Sequence, residues 1–399
     1  MDFFDTRYFR INKLLLSSVG LWPYQTPFMK LLSLLFAIYG IVMMTVPETI
    51  YLIKHPNMDV MFELMPNISG TLICIAKIIC LIRNTKMFEV LLQQTHEDWD
   101  NLLTSEETQI LTSYAENGRK FTLVYSISIS SFVFCYVTLP LADPILDIIL
   151  PLNETRQKKM PHLVDFIVVD QEKHYYALLL NMYIGYTVCV LLGIATDTMY
   201  VLMVVHICGM YDILCHRLEN LMVHDELRWI DNNYTYKHDE IGRRVRRCIQ
   251  LHERIRLFIE TMESTFALFL LSDVGIGFLL QTSSCIMIVV RTGRSSEIMR
   301  YLSLAILQSC RLFFNSWAGQ EVTDHSVGVS MAAYNGIWYN APIKIQKLLV
   351  LLIARSQKAS RITIAKLYVI NLEGFNMVMR TSVSYCTVMI SLREQSDGA

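Results

Sequence analysis

"YYALLLNMYIGYTVCVLLGIATDTMYVLMVVHICGMY", residues 175–211, holds one formally charged side chain, Asp197, in 37 positions. A bilayer core of about 30 Å is crossed by ~20 apolar residues in a helix. This run is therefore a membrane helix, and longer than a membrane requires. Its continuation, "MVVHICGMYDILCHRLENL" at 203–221, turns amphipathic and is expected to project beyond the bilayer. Six further segments are long and apolar enough to join it: 29–53, 59–83, 119–141, 262–290, 298–320 and 366–392. "KIQKLLVLLIARSQ" at 344–357 is apolar with basic ends but too short to span, and is expected to pack or lie at an interface.

Composition agrees with an all-α, polytopic membrane protein of seven transmembrane helices. Of 399 residues, 53% are hydrophobic and 18% charged, against roughly 25% charged in soluble domains. The mean hydropathy is +0.36. A net charge of −1 gives no basic field for nucleic acid. The ten cysteines sit in or beside apolar runs and read as buried thiols rather than a disulfide framework. The opening "MDFFDTRYFRINKLLLSSVGLWPYQ" lacks a continuous apolar core and a small-residue cleavage site, so insertion is expected to rely on the first membrane helix.

Lys and Arg set the direction. With the amino terminus inside, segments 1–30, 83–120, 212–257 and 321–366 carry 23 of the 35 basic residues. The expectation is a cytosolic amino terminus and an extracellular carboxyl terminus. The sequon at Asn153 then lies outside, where glycosylation is open to it, whereas Asn233 falls inside and Asn67 within a helix. G-protein-coupled receptors run the other way. The chain also lacks an Asp-Arg-Tyr-like triplet after its third span and an Asn-Pro-x-x-Tyr-like motif in its seventh.

Catalytic constellations are missing from the pattern. "HERIR" at 252–256 has Arg256 where a zinc-protease helix needs its second His, and Gly275 and Gly277 form a lone G-x-G better suited to close helix packing. His206 reads as a packed residue rather than a metal ligand. No enzyme, cofactor or metal is expected. Charges inside spans that invite a functional reading are Lys77, Asp197, Asp273, Arg311, Glu373 and Arg380. Such charges are costly and invite a role, and most read as structural ion pairs. In the largest inside loop, Ile241, Val245, Cys248, Ile255 and Ile259 share one helical side, so that helix is expected to pack on protein and leave most of its arginines elsewhere.

Large, soft side chains gather in the outer halves of the spans: Met65, Phe132, Tyr136, Tyr183, Tyr301 and Leu304 among them. Such residues line a pocket for a small volatile or lipid-like molecule, and they also build ordinary helix-bundle cores. In the last apolar segment, Thr381, Ser384, Val388 and Ser391 share a face, with small hydroxyls around one branched apolar group. That face suits either close packing or a water-facing stripe with one dry constriction.

"FNMVMRTSVSYCTVMISL" at 375–392 resembles the carboxyl-terminal signature of insect odorant receptors. "LLVLLIARSQKASRITIAKLYVINLEGF", "SWAGQEVTDHSVGVSMAAYNGIWY" and "GLWPYQ" are similar to other stretches of that family, so the resemblance covers essentially the whole chain. The resemblance implies a subunit of a tetrameric, odorant-gated, nonselective cation channel in the plasma membrane of sensory dendrites, assembled with a co-receptor subunit. It implies transmembrane helices one to six with an outer ligand pocket within 1–320, cytosolic anchor parts at 212–261 and 321–365, and a pore-lining seventh helix at 366–392. By resemblance Val388 matches the hydrophobic gate, Ser391 the polar position outside it and Leu392 the next apolar residue. A co-receptor carries a much longer second cytosolic loop, which favours the ligand-tuned subunit. A gustatory receptor channel is the near alternative and a G-protein-coupled receptor the distant one.

Overall fold

The structure is a computed structural model that describes residues 3–138, 141, 160–166, 169–171, 173–221, 234–290 and 295–397, with side chains at 136–137, 234–239, 295–297 and 392–397 left undescribed. Asn153 lies outside the described residues. So do the side chains of Tyr136 and Leu392.

Among the described residues there are ten α-helices: α1 Arg10–Ser18, α2 Pro27–Lys54, α3 Met58–Arg83, α4 Thr85–Asp100, α5 Ser105–Thr138, α6 Tyr175–Glu219, α7 Tyr234–Val290, α8 Ser295–Asn335, α9 Ile343–Ser356 and α10 Leu372–Asp397. Among the described residues, α2, α3, α6 and α7 are long and apolar enough to cross a membrane. The other three expected spans fall on α5, α8 and α10, which do not reach the same apolarity.

Local chemistry sets several boundaries. Pro27 opens α2 at a position where a missing N–H costs nothing. The Asn57 side chain accepts from the Asp59 N–H at 3.3 Å to start α3. Thr104 accepts from the Glu107 N–H at 3.2 Å, while Glu107 accepts from the Leu103 N–H at 2.7 Å, a reciprocal cap for α5. The same carboxylate takes two bonds from Arg217, at 2.7 and 2.8 Å, which ties the start of α5 to the end of α6.

The core sits around α6. From Thr196 to Leu214, only Val205 and Asp212 escape full burial, enclosed by α5, α7 and α8. Gly40 and Gly185 let α2 and α6 cross closely: a Cβ on Gly185 would meet the Gly40 carbonyl at 2.9 Å and Met44 at 2.5 Å. At about 1.5 Å per residue, the 57 residues of α7 extend roughly 85 Å, far beyond the bilayer core. Its sequence-predicted apolar side is the packed one, with Ile241, Val245, Cys248, Ile255 and Ile259 all buried.

One expected element changes. The last span was expected from 366, yet 363–369 is a hairpin, β1 Thr363–Ile364 against β2 Tyr368–Val369, and α10 starts at 372. Ala365 and Lys366 turn it with φ of 51° and 61°, conformations that neither residue type advertises. The hairpin is held from both sides. Glu263 of α7 accepts from the Thr363 N–H and hydroxyl at 2.5 and 2.7 Å. Gly319 of α8 leaves room for the Ile370 carbonyl, which a Cβ there would meet at 2.1 Å.

The thiol reading needs one correction: all ten cysteines are free, but Cys135 and Cys310 are exposed on helix sides rather than buried.

Candidate functional site

A cavity of about 150 Å³ opens within the bundle, walled by α3, α5, α6 and α8. Each helix contributes a stripe at three- and four-residue steps: Asn67, Gly70, Thr71 and Cys74 from α3; Tyr186, Val190, Gly193 and Asp197 from α6. Ile129, Phe132 and Val133 face them from α5, and Leu304, Leu307 and Gln308 from α8. An apolar space of this size holds roughly a benzene-sized ring.

The floor is ionic. Lys77, Asp197, Asp273 and Arg311, expected as local structural pairs, form one four-charge network. The Lys77 ammonium lies 2.5 Å from Asp197 and 3.6 Å from Asp273. The Arg311 guanidinium donates to Asp197 at 3.2 Å and to Asp273 at 2.7 Å. Tyr125 donates to Asp197 at 2.9 Å, and Asn315 to Asp273 at 2.9 Å. Lys77 also sits 4.5 Å from the centre of the Phe269 ring. Two cations and two anions cancel, so a fully buried lysine is held without uncompensated charge. Gly277 makes the floor fit: a Cβ there would meet the Gln308 amide nitrogen at 2.2 Å. Its partner in the G-x-G, Gly275, faces open space instead.

Two wall residues are backed by a segment that sequence reasoning left as loop. His162 lies 2.7 Å from Glu48, both buried, and its Nδ1 is 2.7 Å from the Tyr186 hydroxyl. Val164 packs with Met44 and Met182, so this segment rests on two wall residues, Met44 and Tyr186. Arg300 donates to the Pro161 carbonyl at 2.9 Å and to Glu63 at 3.1 Å, and Lys54 pairs with Asp165 at 2.7 Å. Glu48 was legible as a charge within the first span, but was passed over.

The sequence-predicted ligand residues divide. Phe132 and Leu304 line the cavity. Tyr183 and Tyr301 lie three residues from lining positions 186 and 304, one turn above the cavity rather than in its wall. Tyr301 is buried against Arg300, whose guanidinium stands over its ring and also bonds its hydroxyl. Met65 is partly buried and off the α3 stripe.

On α10 the buried residues among those described are Gly374, Val378, Ser382 and Cys386. With about 100° per residue, the face of Ser384, Val388 and Ser391 lies opposite them; those three are exposed and Thr381 half-buried. Val388 is 52% exposed, so this face has no packing partner among the described residues. The Thr381 and Ser391 hydroxyls bond the Met377 and Thr387 carbonyls at 2.7 and 3.1 Å, which lowers their polarity. Phe278 of α7 and Tyr385 approach edge to face at 5.7 Å, as do Phe313 of α8 and Phe375, linking α10 to two helices beside the cavity. Glu373 and Arg380, expected as paired charges, are exposed and make no ion pair among the described residues. Nor do those residues gather a cluster of His, Cys, Asp or Glu suited to a metal.

A family model described as 7tm odorant receptor matches residues 57–383. Odorant receptor Or2 of Anopheles gambiae is 26% identical over 146 residues, 36% of this chain, a stretch that spans 38% of that protein's length. Odorant receptor 22c of Drosophila melanogaster is 19% identical over 390 residues, 96% of each chain. Among solved structures, the insect olfactory receptor OR5 from Machilis hrabei in complex with eugenol superposes with a TM-score of 0.76 at 14% identity, covering 96% of this chain and 97% of that one. The fold is shared with that receptor.

Proposed function

The chain belongs to the 7tm odorant receptor family, and from that premise we propose that it is the ligand-tuned subunit of an odorant-gated cation channel, paired with a co-receptor subunit. The cavity carries the reading: an enclosed, largely apolar space above a neutral ionic floor suits a small, volatile, uncharged molecule. The Machilis receptor was solved with eugenol. Here an odorant would enter beneath the segment around His162 and touch Phe132, Leu304 and Tyr186.

The unpartnered face of α10 serves as the pore wall. Val388 is the branched apolar group on that face, and a ring of such side chains stops ions by excluding water. The floor supplies a route to it, because Arg311 and Gln308 sit on the helix that meets α10 through Phe313 and Phe375. The ends of α6, α7 and α8 together with α9 form the cytosolic anchor. On α9, Ile343, Val350 and Leu351 are exposed and apolar, a face suited to a neighbouring subunit.

Recording from cells that express the chain with and without a co-receptor tests the proposal. Odorant-evoked cation current that needs both subunits, and is weakened by Phe132→Ala, supports it. Surface-exposed protein giving no current to any of a broad odorant panel, with a co-receptor present, refutes it. Tags add a second check: the amino-terminal one should be hidden in intact cells and the carboxyl-terminal one accessible. The reverse would restore the G-protein-coupled reading.

A further inference from the structure

The four carboxylate oxygens of the floor are all committed. Asp197 Oδ1 takes Lys77, and Oδ2 takes Tyr125 and Arg311. Asp273 Oδ1 takes Arg311, and Oδ2 takes Asn315. Donors are not exhausted in the same way. Arg311 has five N–H groups, and three are engaged: one each with Asp197 and Asp273, and a long one of 3.4 Å with Gln308. The other two make no hydrogen bond among the described residues. The Arg311 side chain is 15% exposed, whereas Lys77 is 0% exposed, and Arg311 lines the cavity.

We infer that Arg311 makes the cavity selective for neutral molecules bearing a hydrogen-bond acceptor, such as a ketone, aldehyde or ester on a benzene-sized apolar body. The inference rests on the cavity being the odorant site. A carbonyl oxygen entering toward Arg311 gains a charge-assisted bond and leaves the network neutral. A hydrocarbon of the same shape leaves the spare N–H groups dry and unpaired. An ammonium meets carboxylate oxygens that each already hold a donor, and it brings a third cation into a compartment whose charges already cancel. A carboxylate brings an extra negative charge into a compartment whose charges already cancel, and its desolvation goes uncompensated.

Full-length receptor in detergent is heated with acetophenone, ethylbenzene, 1-phenylethylamine or benzoate, and the concentration giving half-maximal protection is corrected for partition into the micelle. Acetophenone should protect at a concentration at least about tenfold below ethylbenzene, the scale of one hydrogen bond to a charged donor. The amine and benzoate should be weaker than ethylbenzene. Arg311→Lys keeps the charge but loses the planar fork, and should bring the ratio of acetophenone to ethylbenzene to about twofold. Equal potency of those two on the wild-type receptor, or an undiminished ratio in Arg311→Lys, overturns the inference. If that variant does not fold, the wild-type ratio decides alone. Phe132→Ala separates the two levels of argument, since it should weaken both ligands together. Equal potency with Phe132 sensitivity sinks only the selectivity. Protection by neither ligand, or indifference of both to Phe132→Ala, sinks the cavity reading and the selectivity with it.

Discussion

Replacing Lys77 with Met tests whether the cavity floor is one electrostatic unit. Lys77 faces Asp197 at 2.5 Å and Asp273 at 3.6 Å, with no exposure of its side chain. At an effective dielectric of about 20, unit charges at those distances attract by roughly 7 and 5 kcal/mol. Most of that is offset by the desolvation of a buried ammonium, several kcal/mol. Removing one partner is costlier than the net worth of the pair, because two aspartates then share Arg311 and the site becomes net negative. The expected loss is about 3–5 kcal/mol. Lys77→Met/Asp197→Asn restores neutrality and keeps the 2.7 Å bond between Arg311 and Asp273, so it should recover more than half of that loss. Heat-challenged detergent extracts, followed by the fluorescence of the monodisperse peak, rank wild type, Lys77→Met, Asp197→Asn and the double variant. A Lys77→Met variant that resists heat like wild type refutes the reasoning. So does a double variant that loses the sum of the two single losses.

The other predictions concern gate, anchor and acidity. Val388→Ser wets the proposed constriction and should raise current without odorant or alter ion selectivity, whereas Ile390→Ser should act on stability; the opposite pattern moves the gate to another face. Leu351→Glu, on the exposed side of α9, should leave folding intact and reduce association with a co-receptor in a pull-down, and normal association would take α9 out of the interface. Ile255→Asp lands instead in the packed interior of the chain and should lower the yield of folded subunit through a buried, unpaired charge, which size-exclusion yield reads. Burial alone would raise the Glu107 carboxyl, but its bonds from Arg217 and the Leu103 N–H outweigh this and hold it below the usual range. Its contribution is therefore complete above the unfolded value of about 4.3 and is lost as pH falls through the lower folded value. Heat resistance of wild type should drop across that acidic window, and Glu107→Gln should flatten the drop.

Apolar length and amphipathic period were readable along the chain, and they located the helices that form the bundle, the packed side of α7 and the short α9. The hairpin at 363–369 was not readable, because Ala365 and Lys366 adopt positive φ under tertiary contact from Glu263 and Gly319. The four floor charges were each visible as misfits in apolar segments. Their mutual pairing joins positions as far apart as Lys77 and Asp273, and spacing carries no information over such separations. Pocket residues were chosen by size and depth rather than by face. That found Phe132 and Leu304, took Tyr183 and Tyr301 one turn too high, and missed small lining residues such as Gly70 and Gly193. On the last helix, hydroxyl spacing showed that Thr381, Ser384, Val388 and Ser391 share a face, because period is a local property, but left open whether that face packs or meets water.

The ionic floor also has a chronology. Lys77 is synthesised 120 residues ahead of Asp197, and Arg311 comes last of the four. At roughly 5–20 residues per second, a growing chain carries that lysine for about 6–24 s before its first counter-ion exists. While unpaired, a lysine within a membrane helix makes release into lipid less favourable. The second hydrophobic segment therefore gains from staying near the insertion machinery until α6 brings the counter-ion. One buried cation ties the fate of an early helix to the synthesis of a later one.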